Sequence, residues 1–244
     1  MDPVSHAAFG ASWAQSNIRG EKLVATGLVG AVAAMAPDLD ELIRSSADPL
    51  LLLEYHRHFT HALAFVPFGA LLCAGLFYRF ARARLTFAET YLACLLGYGS
   101  HPLLDACTTY GTQLLWPFSD ARIAWNIIAV IDPLFTVPVV ALAALAAFTR
   151  RARYARFAAI WAVAYLALGA IQNFRAAAAG EELAASRNHV PLRLEAMPAL
   201  GSLLLWKVVY EHDGRYYVDA VRTGLTSVAY PGENVAKLDL AMHF

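Results

Sequence analysis

Leu85-Thr86-Phe87-Ala88-Glu89-Thr90-Tyr91-Leu92-Ala93-Cys94-Leu95-Leu96-Gly97-Tyr98-Gly99-Ser100-His101-Pro102-Leu103-Leu104-Asp105 is apolar over most of its length, yet it closes on a histidine and an aspartate four positions apart. An apolar run of about 20 residues can cross a bilayer core as a helix. Residues four apart on that helix share a face, one turn from each other. Ionisable side chains at such depth are costly to desolvate and usually mark a functional site. The same spacing lets two ligands reach one metal, as in the histidines of H-E-x-x-H. A hydrogen-bonded pair closing the helix is the ordinary alternative, so the reading turns on what other segments bring to this end.

Three more stretches are long enough, or nearly so, to span: Ala62–Phe80, Ile127–Phe148 and Tyr154–Ile171. The chain is 59% hydrophobic and 16% charged, against roughly 45–50% and about 25% in soluble proteins. Leu23–Ala36 is too short to span alone, and Pro3–Gln15 upstream is mildly apolar. The polar break Ser16-Asn17-Ile18-Arg19-Gly20 between them reads as the turn of a short helical hairpin. That hairpin would return His6 to the same end as Asp38. A cleaved leader ending at Ala34-Met35-Ala36 is the competing reading, but the long polar lead and Pro37 after the would-be cleavage site fit it badly.

Charge asymmetry orients the bundle. Arg79, Arg82 and Arg84 follow one span, Arg150, Arg151, Arg153 and Arg156 follow another, and Arg19 and Lys22 occupy the hairpin turn. Short arginine-rich loops stay cytoplasmic. The opposite segments, 37–60 and 106–126, carry Asp38, Asp40, Glu41, Asp48, Glu54 and Asp120 against Arg44, Arg57 and Arg122, and should face outward. The candidate metal ligands His6, Asp38, Asp40, His56, His61, His101 and Asp105 therefore converge on one membrane face. Imidazole and carboxylate without thiolate suits zinc, manganese or iron.

Each segment has its own logic. Asp38 and Asp40, two apart after Pro37, project to one side of extended backbone, although acids in a loop are usually just solvated. His56-Arg57-His58-Phe59-Thr60-His61 places three imidazoles within six residues. His56 and His61 would diverge by about 140° on a continuous helix, so His56 is expected in a loop and His61 in a first turn capped by Thr60. His58 reads as a surface residue more readily than as a third ligand. Arg57 could clamp an anionic substrate bidentately or snorkel to the interface. Asp132, before Pro133, is expected beside a kink, hydrogen-bonded to a ligand histidine or satisfying the bundle.

Zero formal net charge implies no polyanion-binding surface, so no nucleic-acid partner is expected. Cys73, Cys94 and Cys107 are scattered singly, as buried small hydrophobes rather than a disulfide or zinc framework. From Ala176 the composition changes. Ala176–Arg187 reads as helix, and Trp206–Glu211 and Arg215–Arg222 flank Asp213-Gly214, a strong hairpin signal. This gives a membrane-embedded domain over 1–175 and a small extracytoplasmic α+β tail over 176–244, expected to pack over the outward face. His189, His212 and His243 are isolated and read as surface residues.

The ordered set Asp2-Pro3-Val4-Ser5-His6, Pro37-Asp38-Leu39-Asp40, His56 to His61 and Leu96-Gly97-Tyr98-Gly99-Ser100-His101-Pro102-Leu103-Leu104-Asp105 resembles the YdjM-like inner-membrane metal-dependent hydrolases. Tyr110-Gly111-Thr112, Leu115-Trp116-Pro117, Trp125 to Ile128 and Ile131-Asp132-Pro133-Leu134-Phe135 extend the likeness to about Arg175. His58 departs from that family's H-R-G-x-T-H pattern. The resemblance implies a hydrolase of the bacterial inner membrane. The fold expected is an α-helical polytopic membrane bundle with its site facing the extracytoplasmic side. The ligands outnumber the three protein donors of a catalytic zinc. One or two divalent ions, zinc or manganese, are therefore expected, acting on a lipid or lipid-linked phosphoester with Arg57 and Asp132 in support. A metal-dependent membrane peptidase or amidase, and a metal or proton transporter, are the rival readings.

Overall fold

The computed structural model describes residues 1–45, 47–48 and 50–238; His243 lies outside them. The described chain is mostly helical and ends in an antiparallel sheet. It divides into two compact units, Met1–Trp125 with Val130–Tyr165, and Asn126–Ala129 with the chain from Leu166 onwards.

In the first unit, α1 (Pro3–Ser16) starts at Asp2, which accepts the Ser5 N–H at 3.0 Å, with proline in the first turn. The turn through Gly20, whose φ is +69°, reverses the chain into α2 (Lys22–Met35). The expected hairpin is therefore present, but its second arm is longer than the sequence suggested. A 3₁₀ turn, Pro37–Leu42, continues the axis, so that Lys22–Leu42 is long and apolar enough to cross a membrane. A short α3 (Leu51–Tyr55) and a 3₁₀ turn, Phe59–His61, lead to α4 (Val66–Ala81), and the two halves of this segment are bent by 85°.

Next, α5 (Phe87–Ala106) opens with a reciprocal capping box between Thr86 and Glu89, and Glu89 also takes Lys22 at 2.6 Å. After a long connection, α6 (Pro133–Thr149) begins later than the hydrophobic run Ile127–Phe148 implied. Asp132 caps it, accepting from the N–H groups of Leu134 and Phe135, and Pro133 fills its first position. The Asp-Pro pair is thus a helix start and not a kink, because proline has no N–H to lose there. The runs expected as two helices after Arg153 form one, α7 (Ala152–Ser186), which is also long and apolar enough to span. Counting the bent pair as one broken span, the described residues hold up to three such elements.

Small side chains fill the interior of this unit and large apolar ones cover it. Ala33, Ala70, Ala74 and Ala93 are buried, whereas Leu72, Phe80, Val137 and Phe148 are exposed. That distribution suits lipid outside and close helix contact inside. The tightest contact joins three glycines. A Cβ on Gly97 of α5 would meet the Gly30 carbonyl at 2.2 Å, and one on Gly10 of α1 would meet the same oxygen at 2.8 Å. Helices α1, α2 and α5 therefore touch backbone to backbone midway along their length, which fixes the ends that carry His6, Asp38 and His101.

The second unit contains a four-stranded meander in the order β1 (Arg193–Pro198), β2 (Leu205–His212), β3 (Arg215–Thr223) and β4 (Ser227–Ala236). Asp213 and Gly214 both take positive φ, 47° and 68°, and join β2 to β3 as the two-residue turn expected from their sequence. Trp206, Val208 and Val221 pack on Ala176 and Ala179 of the helix. Strand β4 carries Pro231-Gly232, which conceals it in the sequence; an edge strand tolerates that proline. His189 and His212 are not isolated, since their rings stack at 4.3 Å and His189 Nδ1 lies 2.9 Å from the Tyr210 hydroxyl.

A candidate metal centre at the helix ends

Four helix ends meet at one place in the first unit: the start of α1, the end of α2 with its 3₁₀ extension, the approach to α4 and the end of α5. They bring His6, Asp38, Asp40, His56, His61, His101 and Asp105 into one buried cluster. His101 and Asp105, one turn apart on α5, make the floor, and His101 Nε2 lies 3.3 Å from Asp105 Oδ2. Asp38 Oδ1 approaches from the 3₁₀ turn, 3.2 Å from His101 Nε2 and 3.5 Å from His61 Nε2. His61 Nε2 is 3.4 Å from Asp105 Oδ2. These four residues offer ligand atoms within 4.8 Å of one another and could hold a metal ion.

The far side of each ring explains why the lone pairs point inward. His101 Nδ1 donates to the Ala34 carbonyl at 2.5 Å. His61 Nδ1 lies 3.2 Å from Asp40 Oδ2, beside the Thr60 hydroxyl. A proton held at Nδ1 leaves Nε2 as an acceptor, the tautomer a metal requires. His61 Nε2 and His101 Nε2 are buried and have no hydrogen-bond partner among the described residues, while the buried Asp105 Oδ2 faces the Arg57 guanidinium at 3.0 Å. Two orphaned imidazole acceptors facing one point are expensive in a protein interior unless a cation satisfies them.

A second group lies alongside. Asp38, Asp40 and His56 also present ligand atoms within 4.8 Å of one another, with His56 Nδ1 2.9 Å from Asp40 Oδ1. Asp38 belongs to both groups. Its side chain is 29% exposed and that of His56 17%, whereas His61, His101 and Asp105 are at most 1% exposed, so the cluster opens on the Asp38–His56 side.

Residues 1–176 match the YdjM inner membrane protein family. The chain belongs to that family. Inner membrane protein YbcI of Escherichia coli (strain K12) is 38% identical over 105 residues, which cover 41% of this chain and 60% of that protein. The uncharacterized protein YfhP of Bacillus subtilis (strain 168) is 29% identical over 104 residues, or 43% of this chain and 31% of that protein. The matches thus span less than two thirds of either relative. No solved structure matches the chain.

In this YdjM-family chain several residues hold positions other than those expected. His6 is buried and stacks on His101 at 3.6 Å, with Nε2 3.1 Å from Asp105 Oδ1, the oxygen that also takes the amino group of Met1. It joins the cluster through Asp105 and not through Asp38. Thr60 does not cap a helix, because α4 begins only at Val66; its hydroxyl donates to Asp40 Oδ2 at 2.8 Å. His61 accordingly ends a 3₁₀ turn instead of opening α4. His58 is half-buried, its ring packed against Tyr55 and Trp116, and it belongs to neither of the two ligand groups.

Arg57 is buried, neither snorkelling nor open to a substrate. Its left-handed backbone, φ 60°, aims its N–H at Asp40 Oδ2 at 3.0 Å. The guanidinium places Nε 3.0 Å from Asp105 Oδ2 and donates to Thr108 Oγ1 at 2.9 Å, 5.0 Å from the Tyr110 ring centroid. Among the described residues Asp132 contacts no histidine: besides capping α6 it accepts the Tyr165 hydroxyl at 2.8 and 2.9 Å. Neither Thr60 nor Arg122 was legible in the sequence as a support. Arg122 donates to the carbonyls of Leu53, Glu54 and His56, tying the end of α3 and so the His56 backbone in place. A lone arginine in a loop carries no motif; three free carbonyls at a short helix end are the only local hint.

Proposed function

We propose that this YdjM-family inner membrane protein is a polytopic metal-dependent hydrolase, acting at the extracytoplasmic face on a lipid or lipid-linked phosphoester. The observation that carries the reading is the convergence of the unpartnered, buried Nε2 acceptors of His61 and His101 with the Asp38 and Asp105 carboxylates. That donor set fits a divalent cation such as zinc or manganese. Asp38, His61, His101 and Asp105 would hold one ion, and Asp38, Asp40 and His56 a second, with Asp38 common to both. Such ions, when bound, acidify water towards neutrality and polarise a scissile oxygen, and a pair of them suits phosphoester displacement.

The chain's own residues prepare that chemistry. The Ala34 carbonyl and the Asp40–Thr60 pair fix the imidazole tautomers. Arg57 holds Asp105 in place and offsets part of the carboxylate charge. Access from the Asp38–His56 side puts a substrate against the more open of the two ligand groups. Arginine-rich loops at the opposite helix ends support the outward placement of the cluster.

Metal analysis of the purified protein followed by turnover of a phospholipid analogue tests the reading. Bound divalent metal and hydrolysis, both lost in His101→Ala, are the expected results. Metal flux across proteoliposomes without turnover would replace the hydrolase by a transporter, whose ligands would have to continue through the bilayer.

A further inference from the structure

Asp38 differs from the other ligands of the buried group in what stands behind it. His101 Nδ1 is tied to the Ala34 carbonyl at 2.5 Å, and its ring stacks on His6 at 3.6 Å. His61 Nδ1 has Asp40 Oδ2 at 3.2 Å and the Thr60 hydroxyl at 3.0 Å. Asp105 Oδ1 lies 3.1 Å from His6 Nε2, and its Oδ2 lies 3.0 Å from Arg57 Nε. Each is therefore oriented by a partner outside the ion it would bind. Asp38 has no such partner. Among the described residues its carboxylate takes no backbone N–H or hydroxyl, and its contacts are the ring nitrogens themselves, His101 Nε2 at 3.2 Å and His61 Nε2 at 3.5 Å. Its side chain is also the accessible one of the four, 29% exposed against at most 1% for the rest.

The four ligand atoms are spaced as a closed shell. Asp38 Oδ1, His101 Nε2, Asp105 Oδ2 and His61 Nε2 are separated in turn by 3.2, 3.3, 3.4 and 3.5 Å. A tetrahedron with bonds of about 2.0–2.1 Å, the length zinc makes to imidazole and carboxylate, has edges of about 3.3–3.4 Å. A square with the same edges would need bonds of about 2.4 Å, too long for zinc. Four protein donors make the shell of a structural zinc, whereas a catalytic one keeps three and an open position. One donor must withdraw for the buried ion to take anything else, and Asp38 is the donor that nothing else holds. It has a place to go, because Asp38, Asp40 and His56 also bring ligand atoms within 4.8 Å of one another.

We propose that Asp38 is a movable ligand, which closes the buried site while one ion is bound and opens it when a second ion binds at Asp40 and His56. Such a ligand presupposes the two-ion centre proposed above and adds how that centre is switched. As the second ion draws the carboxylate away, the bond from Asp38 to the buried ion breaks, and a water molecule entering from the Asp38–His56 side takes the vacated position. No electron or proton moves, and the buried ion keeps its coordination number. The centre is thus silent with one ion and competent with two, so the supply of divalent metal to the more exposed group regulates it. His61, His101 and Asp105 cannot play this part, being buried and held from behind.

Cobalt(II) tests this, because its visible absorption is intense in a four-coordinate site and shifts when a small anion joins the metal. The purified full chain, stripped with a chelator and given one equivalent of cobalt, should show four-coordinate bands that azide leaves unchanged. One equivalent of zinc added afterwards should make those bands azide-sensitive. In Asp38→Ala azide should shift the bands with cobalt alone, and in His56→Ala the added zinc should confer no response. Azide sensitivity of the wild type at one equivalent, or insensitivity after zinc, overturns the proposal even where a variant fails to fold; the second result would mean that Asp38 stays on both ions as a fixed bridge. The spectra are read without turnover, so either of those results sinks the movable ligand and leaves the hydrolase standing, whereas the expected spectra without phosphoester cleavage do the reverse. A wild type that binds no cobalt removes the metal centre and both readings with it.

Discussion

His101 shows how far one backbone carbonyl can decide a side chain's chemistry. With Nδ1 committed to Ala34, its Nε2 has nothing to do but accept, and Asp105 one turn on presents an oxygen to the same point. Replacing His61 or His101 by alanine, or Asp105 by asparagine, should each reduce bound metal substantially in purified protein without preventing insertion, since a bond is lost and not a packing layer. His212→Ala, in the sheet, should leave metal content intact; full occupancy in all three site variants would reduce the cluster to a hydrogen-bonded helix end. Thr60→Val removes the hydroxyl behind Asp40 and His61. It should weaken metal affinity by about 10–100-fold, the usual effect of an outer-sphere partner, measured by competition with a chelator. The candidate ligands were legible as a group, because imidazoles and carboxylates are rare in apolar sequence and their spacing is local. Their supports were not. A threonine or an arginine reads the same whether its side chain turns to solvent or to a ligand, and only the fold chooses.

Among the elements, the hairpin, the α5 face and the β2–β3 turn could be read directly from periodicity and turn chemistry. The start of α6 could not, because an Asp-Pro pair inside a long apolar run describes a capped start and a kink equally well. The extension of α2 was hidden for a related reason: Pro37 reads as a stop, yet at the first position of a 3₁₀ turn it costs no hydrogen bond. Replacing Asp132 by alanine should cost about 1 kcal/mol for the cap, and somewhat more because the buried Tyr165 hydroxyl loses its acceptor. Metal content should not change, which separates a cap from a ligand support. The glycine contact is more sensitive. Gly97→Ala drives a methyl into the Gly30 carbonyl, and should destabilise by roughly 1–3 kcal/mol as overpacked sites do. Thermal unfolding in detergent would show the lower midpoint; an unchanged midpoint would mean that α2 and α5 can separate at little cost.

For the whole molecule, reporter fusions at Arg82 and Arg153 should read cytoplasmic and one at Ala47 external. An external Arg153 would break the shared-face placement of the ligands. Metal affinity should fall as pH drops from 7 towards 5, since protons compete for imidazoles whose ordinary pKa is about 6.5. Calorimetric titration at several pH values checks the sign, and a flat profile would argue that histidine nitrogens are not the donors. The hydrogen bond from His6 to Asp105 links positions 99 residues apart, with Asp38 and His61 supplied by the chain between them. No nascent chain can own the full ligand set before α5 has left the ribosome and docked on α1 and α2. On the proposed reading ion capture is a closing event in biogenesis, and an insertion intermediate stalled ahead of α5 would stay empty however much metal surrounds it.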